Sequence, residues 1–122
     1  MKATTYLLEY SLLRIWNNRD AEARLALMQQ VYAPDIAFFE TDTSEAIVGH
    51  QAINALIDKL QAGWPAEFLF ILSQPVEANH DMQHAAWTLG QPGEPPIASG
   101  IDVALVENQL IKSLYLLLSP AA

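Results

Sequence analysis

The hydrophobic pattern of the chain changes at Pro65, and this change limits the folds that the chain can adopt. Before this residue the apolar side chains recur mostly at helical spacing, whereas after it they form short runs between turn-forming residues. These runs predict four strands, which cover residues 66–76, 82–90, 97–107 and 110–118. Because the links between successive strands are short, we expect an antiparallel meander.

The part of the chain before Pro65 predicts three helices and one short strand. Apolar residues at helical spacing indicate helices over residues 4–18, from an N-cap at Asp20 to about Tyr32, and over roughly residues 50–62. Residues 36–40 have the pattern of a short strand. Helices followed by a meander predict an α+β domain, in which three N-terminal helices pack on one face of a curved, mainly antiparallel sheet.

The composition restricts the size, the chemistry and the partners of this domain. A chain of 122 residues is expected to form one domain, and its net charge of −8 argues against nucleic acid and anionic membranes as partners. Cysteine is absent, which excludes disulfides and thiol catalysis. We find neither a signal-peptide pattern nor an apolar run of the ~20 residues that a membrane helix needs, so a cytoplasmic protein is expected.

Several short segments occur in an order that is fairly specific for one fold. They are Trp16–Asp20, Tyr32–Phe38, Val48–Ile53, the strand around Ala86 and Trp87, and Gly100–Val103 with Asn108 in the last turn. Together they resemble the nuclear transport factor two-like superfamily, especially its SnoaL-like and ketosteroid-isomerase-like branch. The resemblance implies a cone-shaped domain, a cystatin-like roll, with a pocket between the helices and the concave face of the sheet. It also implies a homodimer through the outer sheet face. It does not imply one activity, because the superfamily contains isomerases, cyclases, dehydratases, epoxide hydrolases and proteins that only bind or dimerise.

Asp102 is the first candidate catalytic residue, because it interrupts an otherwise apolar strand. A carboxylate in such a strand must find a hydrogen-bond donor or take up a proton. A neutral carboxylic acid can donate a hydrogen bond to a substrate. The ketosteroid isomerases hold such an acid at what looks like this position, so the resemblance implies this role for Asp102. The alternative is an acid that is hydrogen-bonded to a neighbouring side chain and serves only the fold.

Glu40 is the second candidate, at the end of the first predicted strand. It shares strand parity with Phe38, and it falls where the resemblance places the catalytic base of the ketosteroid isomerases. A carboxylate at a pocket rim can take a proton from a carbon next to a carbonyl group, and Asp102 would then stabilise the enolate. The alternative is an exposed glutamate in an acidic loop that also contains Asp42 and Glu45.

The sequence departs from the ketosteroid isomerases at Leu12. These enzymes have a tyrosine in the first helix that helps to hold the oxyanion, and counting back from Asn17 leads to Leu12 instead. One such donor can contribute ~3 kcal/mol to transition-state stabilisation, so steroid isomerase activity is not expected. The arginine of the related epoxide hydrolases is also missing from the predicted sheet, because no arginine follows Arg24.

Further pocket residues are predicted from strand parity and from the elements that close the cone. His84 is included as a candidate acid–base group, because the resemblance implies a sheet histidine in the dehydratases. It does not predict a metal site with His80, since four residues of strand span ~13 Å. The predicted pocket residues are Leu12, Trp16, Tyr32, Phe38, His84, Ala104, Leu114 and Leu116.

Two classes of function remain open from the sequence. The first is a SnoaL-like, cofactor-independent isomerase, cyclase or lyase that acts on a small hydrophobic carbonyl compound, with Glu40 as the base and Asp102 as the donor. The second is a non-catalytic module that binds a small apolar ligand or a partner protein. No cofactor is implied, because phosphate loops, dinucleotide fingerprints and zinc-ligand spacings are missing from the sequence.

Overall fold

The structure, a computed structural model, describes residues 6–41 and 43–119. Helix α1 (Leu7–Tyr10) continues directly into a π-helical turn (Ser11–Ile15), and it is followed by α2 (Ala21–Val31) and α3 (His50–Ala62). None of the described helices is long and apolar enough to cross a membrane. The strands are β1 (Tyr32–Phe39), β2 (Ile47–Val48), β3 (Leu69–Leu72), β4 (Glu77–Asn79), β5 (Met82–Gly90), β6 (Ala98–Glu107) and β7 (Leu110–Leu118).

The strands form one sheet in the order β2-β1-β7-β6-β5-β3, and β4 also pairs with β5. Strands β5, β6 and β7 form the predicted antiparallel meander, while β1 lies parallel to β7. The three helices pack against the sheet through one continuous hydrophobic core. The predicted α+β class, with three N-terminal helices on a mainly antiparallel sheet, is therefore confirmed.

A tight turn between β6 and β7 sets the register of the meander. Asn108 and Gln109 both have positive φ angles, of 54° and 67°, as a two-residue type I′ hairpin requires. The turn pairs Glu107 with Leu110. Further along the two strands, Asp102 is paired with Leu116. Between the turn and Asp102 the pairing shifts by one residue, from Val106–Ile111 to Leu105–Ser113. Since a one-residue shift changes which side chains share a face, the turn and this irregularity together determine the face to which Asp102 points.

Strands β1 and β3 differ in their bounds from the predicted strands, and the short strands β2 and β4 were not predicted. Strand β1 begins at Tyr32 rather than at residue 36, and its pairing with β7 is irregular between Tyr32 and Ala37. The predicted strand 66–76 is reduced to β3, and the predicted link 77–81 contains β4. Pro75 lies between β3 and β4 and has no N–H to donate, so it accounts for the break in this edge of the sheet.

Arg24 holds the helices together from a fully buried position. Its guanidinium group donates to the side chain of Asn54 (2.6 Å), to the side chain of Gln61 (3.0 Å) and to the main-chain oxygen of Asn18 (2.7 Å). It also pairs with the carboxylate of Asp58. A buried cation is tolerated when it is paired and hydrogen-bonded in this way. The contacts fix α2 against α3 and against the turn that follows α1.

Candidate functional site

A cavity of about 230 Å³ lies between the helices and the inner face of the sheet. Its wall consists of aromatic and aliphatic side chains, and the only ionisable side chains among the described lining residues are Glu40 and Asp102. The structure thus brings the two candidate catalytic residues to one cavity. The lining residues are Leu12, Trp16, Phe38, Glu40, Leu60, Trp64, Phe70, Trp87, Leu89, Ile97, Ala98, Asp102, Leu116 and Leu118.

Asp102 lies in the middle of β6, with its side chain on the inner face and only 7% of the residue exposed. One carboxyl oxygen, Oδ1, accepts a hydrogen bond of 3.0 Å from the indole Nε1 of Trp87. Burial raises the pKa of Asp102 to about 7, and the hydrogen bond from Trp87 opposes part of this rise. The carboxyl group is therefore neutral in a large fraction of the molecules at neutral pH.

Glu40 follows the last residue of β1 directly, and the next residue, Thr41, keeps the chain attached to β7. The hydroxyl group of Thr41 donates to the main-chain oxygen of Leu116 (2.9 Å) and accepts from the main-chain N–H of Leu118 (3.2 Å). These bonds continue the contact between β1 and β7, so Glu40 stays on the same side as Phe38. Glu40 is half-buried, unlike an exposed loop glutamate.

The register places the two acids on either side of Leu116. Phe38 and Phe39 pair with successive residues of β7, and the next step sets Glu40 opposite Leu116. Leu116 is in turn paired with Asp102 on β6. Two strand spacings separate the backbones of the acids, which is about 10 Å. Both side chains border the same cavity from these two positions.

Five aromatic side chains form the wall of the cavity. The ring of Phe70 lies 6.1 Å from that of Trp16, 5.8 Å from that of Trp64 and 5.0 Å from that of Trp87, in edge-to-face contacts. Trp16 also contacts Phe38, with the ring centres 5.4 Å apart. The wall shields the carboxyl groups from water, which accounts for the raised pKa of Asp102.

Asn17 connects the end of helix α1 to the aromatic wall. Its side-chain amide donates to the main-chain oxygen of Phe70 (3.0 Å) and accepts from the main-chain N–H of the same residue (2.7 Å). Phe70 is thereby held at the edge of the sheet where its ring meets Trp16. The segment Trp16–Asp20, which contributed to the sequence resemblance, thus serves to position the cavity wall.

The π-helical turn presents Leu12 and Trp16 to the cavity, and it is closed by a bond of 3.0 Å from the N–H of Trp16 to the oxygen of Ser11. Tyr32 does not line the cavity, contrary to the prediction. It is fully buried in the core, where its hydroxyl group bonds to Ser11 and accepts from the indole of Trp16 (3.1 Å). Burial raises the pKa of Tyr32 to about 12, so this hydroxyl group stays protonated.

Three other predicted pocket residues also lie outside the cavity. Ala104 and Leu114 have the predicted inward parity, but they are fully buried in the core. His84 points to the outer face of the sheet, where its ring nitrogen lies 3.9 Å from the carboxylate of Glu77. The prediction of His84 as an acid–base group of the pocket is therefore corrected.

Trp87 is the most important residue that the sequence analysis did not assign to the site. The inward face of β5 carries Ala85, Trp87 and Leu89, whereas His84 and Thr88 face outward. The residues that share parity with Trp87 are apolar, whereas the alternating residues include His84 and Thr88. This difference in polarity indicates that Trp87 points inward. Trp64, Phe70 and Ile97 were also missed, because contacts between distant segments bring them to the cavity.

No metal site is found in the part of the chain that the structure describes, since no three His, Cys, Asp or Glu side chains come close enough together. The cavity itself offers two carboxyl groups on separate strands.

Comparison of the structure with solved structures finds similar proteins, whereas comparison of the sequence does not. No protein-family model matches the sequence, and no curated protein matches it either. A proposed isomerase of the SnoaL-like family from Agrobacterium tumefaciens str. C58 superimposes with a TM-score of 0.82 at 23% identity, covering 93% of this chain and 95% of that one. The chain has the cystatin-like fold of the nuclear transport factor two-like proteins.

Two further solved structures share this fold. A proposed ketosteroid isomerase from Kribbella flavida DSM 17836 has a TM-score of 0.70 at 17% identity, covering 95% of this chain and 77% of the other. A proposed SnoaL-like polyketide cyclase from Jannaschia sp. CCS1 has a TM-score of 0.73 at 12% identity, with 93% and 83% covered. At these identities the likeness establishes the cystatin-like fold, and the chemistry has to be argued from the site.

Proposed function

We propose that the cavity is the active site of an acid–base enzyme that needs no cofactor and acts on a small hydrophobic carbonyl compound. The observation that carries this proposal is the position of Asp102, a buried acid with a pKa of about 7 that shares one largely apolar cavity with Glu40. Two carboxyl groups with different environments, in one enclosure, can serve as base and acid at the same pH.

The reaction begins with proton transfer from carbon. The carboxylate of Glu40 takes a proton from the carbon next to the carbonyl group, the electron pair of the C–H bond forms a C=C bond, and the π pair of the carbonyl group moves onto its oxygen. Protonated Asp102 donates a hydrogen bond to this oxygen, which stabilises the enolate. If the substrate has a neighbouring C=C bond, return of the proton from Glu40 to the far carbon of the dienolate gives an isomer. If it has a second carbonyl group, attack of the enolate on that carbon closes a ring, and the resulting alkoxide takes the proton from Glu40.

The cavity also restricts the substrate. Its volume of about 230 Å³ is below the ~300–1,000 Å³ typical of drug-sized ligands, so the substrate is small. The described lining contains no Lys, Arg or His side chain that could pair with an anion. A neutral, largely apolar ketone, ester or lactone therefore fits better than a carboxylate or a phosphate. The names of the relatives, a proposed isomerase and a proposed polyketide cyclase, are compatible with enolate chemistry.

The proposal is tested in two steps. A thermal-shift screen with small ketones and lactones first selects compounds that stabilise the protein, with carboxylates of equal size as negative controls. Proton NMR in D₂O then measures the exchange of the hydrogens next to the carbonyl group. We expect the wild type to catalyse the exchange, and Glu40→Gln and Asp102→Leu, which remove the base and the donor, to lose it by at least ~100-fold.

Glu45→Gln, in the exposed loop after Glu40, is the matched control and should keep the wild-type rate. Stabilisation by a ketone without any exchange above the buffer rate would refute the catalytic proposal. Such a result would favour a module that binds its ligand without turnover.

We further propose that the protein is a homodimer through the outer face of the sheet. This face exposes apolar side chains that do not contribute to the core, among them Leu105 (40% exposed), Tyr115 (37%) and Leu117 (54%). Neighbouring Ile101 and Val103 on β6 are also partly exposed. An apolar surface that spans adjacent strands is typical of a protein interface.

A further inference from the structure

Trp87 is the only described side chain that donates a hydrogen bond to Asp102, and its own ring is almost completely buried. In the pairing of β5 with β6, Trp87 lies opposite Gly100 and Asp102 lies opposite Ala85. Trp87 and Asp102 are therefore diagonal neighbours on the inner face of the sheet, where long side chains can reach each other. The indole spans this diagonal with its N–H directed at Oδ1.

The indole is held in this orientation from two sides. A Cβ atom at Gly100 would come within 2.7 Å of the indole Cζ2 and 3.2 Å of Cε2, so the ring lies directly on the glycine backbone. From the other side the ring of Phe70 meets it edge-on, with the ring centres 5.0 Å apart. Any side chain at position 100 would push the indole away from Asp102.

The second carboxyl oxygen of Asp102 is free to meet a ligand. No hydrogen bond from the described residues reaches Oδ2. At the same time, no buried side-chain oxygen or nitrogen in the described part of the chain lacks a partner. Oδ2 is therefore accessible, and since Asp102 lines the cavity, this oxygen faces it.

We propose that Trp87, seated on Gly100, is a positioning residue that keeps Oδ1 of Asp102 as a hydrogen-bond acceptor and leaves Oδ2 to carry the proton into the cavity. An indole N–H can donate but cannot accept, so a proton on Oδ1 would have to compete with it. The proton of the neutral acid is consequently placed on the oxygen that meets the substrate. The catalytic use of this arrangement rests on the proposed function, whereas the arrangement itself can be tested without a substrate.

Among the groups around Asp102, Trp87 is the one that can stabilise the ionised carboxyl group. Tyr32 is near enough to interact electrostatically with Asp102, but its raised pKa keeps it neutral. Glu40 is an acid on the other side of Leu116 and cannot stabilise a second negative charge. The described lining contains no cation, so the N–H of Trp87 is the main group that stabilises ionised Asp102.

NMR titration of the whole protein tests this inference. The protein has three tryptophans, which give three indole N–H signals, and the Asp102 side-chain carboxyl carbon is assigned by comparison with Asp102→Asn. In the wild type the signal of Trp87 should titrate together with the Asp102 carboxyl carbon, with a midpoint near pH 7. In Asp102→Asn the titration of the indole should disappear.

Trp87→Phe keeps an aromatic ring but removes the N–H. Because a hydrogen bond stabilises the ionised acid more than the neutral one, its loss should raise the midpoint of Asp102 by about one pH unit. Trp16→Phe is the matched control, since this indole also lines the cavity but donates to Tyr32 instead. It should leave the midpoint of Asp102 unchanged.

An unchanged midpoint in Trp87→Phe would overturn the inference, and so would a wild-type titration of Asp102 that no indole signal follows. The second experiment uses only the wild-type protein, so it does not depend on whether Trp87→Phe folds. A failure of the proposed function gives a different pattern. In that case the indole and the carboxyl group still titrate together, but Asp102→Leu, which removes the donor, does not change the exchange of ketone hydrogens.

Discussion

Replacing Asp102 with asparagine should make the stability of the protein much less dependent on pH. In the wild type the carboxyl group is buried, so the folded protein holds the proton of Asp102 more tightly than the unfolded chain does. Asparagine has nearly the same size and keeps an oxygen that can accept from Trp87, but it does not titrate. The variant therefore removes the ionisation and retains the packing.

The sign and the size of the effect follow from the pKa of Asp102. It is raised from 3.8 in the unfolded chain to about 7 in the folded protein. Below pH 3.8 Asp102 is protonated in both the folded and the unfolded protein, and its ionisation does not reduce the free energy of unfolding. As the pH rises towards 7, the unfolded chain loses the proton first, and the folded state becomes progressively less stable relative to it. The full change is about 4 kcal/mol, at 1.36 kcal/mol per pH unit.

Urea unfolding between pH 5.5 and 8.5 measures this effect, because the isoelectric point of about 4.5 makes more acidic solutions unsuitable. Over this range Asp102→Asn should gain about 2 kcal/mol relative to the wild type, with the change complete soon after pH 7. Asp81→Asn, in an exposed turn, is the control and should show a constant difference. A constant difference for Asp102→Asn as well would refute the argument that burial keeps this acid neutral.

The remaining predictions concern the helices and the outer sheet face. Arg24→Met should lower the free energy of unfolding by about 3 kcal/mol in urea titrations, because buried acceptors lose their donor. Asp58→Asn should cost less than Arg24→Met, because its amide oxygen can still accept from the guanidinium group and this position is 56% exposed, and equal losses in the two variants would contradict the assignment. Leu117→Glu should convert the proposed dimer to a monomer in size-exclusion chromatography with light scattering, with little change in Tm, whereas Gln91→Glu in an exposed loop should not. A wild type that is already monomeric would exclude the dimer.

The order of helices and strands was predictable because each element has its own hydrophobic period. The N-cap of α2 was also predictable, and Asp20 does accept from the N–H groups of Glu22 (3.0 Å) and Ala23 (3.1 Å). The start of β1 was not, because it follows α2 without a link and contains Pro34. The pairing of Tyr32 with Ile111 in β7, about 80 residues later, precedes an irregularity in the register of β1, and a local sequence pattern cannot predict such a distant pairing.

The site was predictable only where strand parity determines it. Parity grouped Glu40 with Phe38, and the resemblance placed Glu40 and Asp102 at one pocket; both line the cavity. Trp87 and Phe70 depend instead on contacts between distant segments, such as the bonds from Asn17 across 53 residues. Sequence patterns do not contain these distances, so the partner of the buried acid and the aromatic wall emerged only from the structure.

The pH dependence of ketone hydrogen exchange tests the central claim most directly, because Asp102 must be protonated to stabilise the enolate. We expect kcat/KM of the wild type to fall as the pH rises above about 7, following the pKa of Asp102 in the free enzyme. In Asp102→Asn, whose amide group does not titrate, the rate should not fall in this range. A wild-type rate that stays constant or rises up to pH 9 would show that the ionised form of Asp102 is equally active, which contradicts the account.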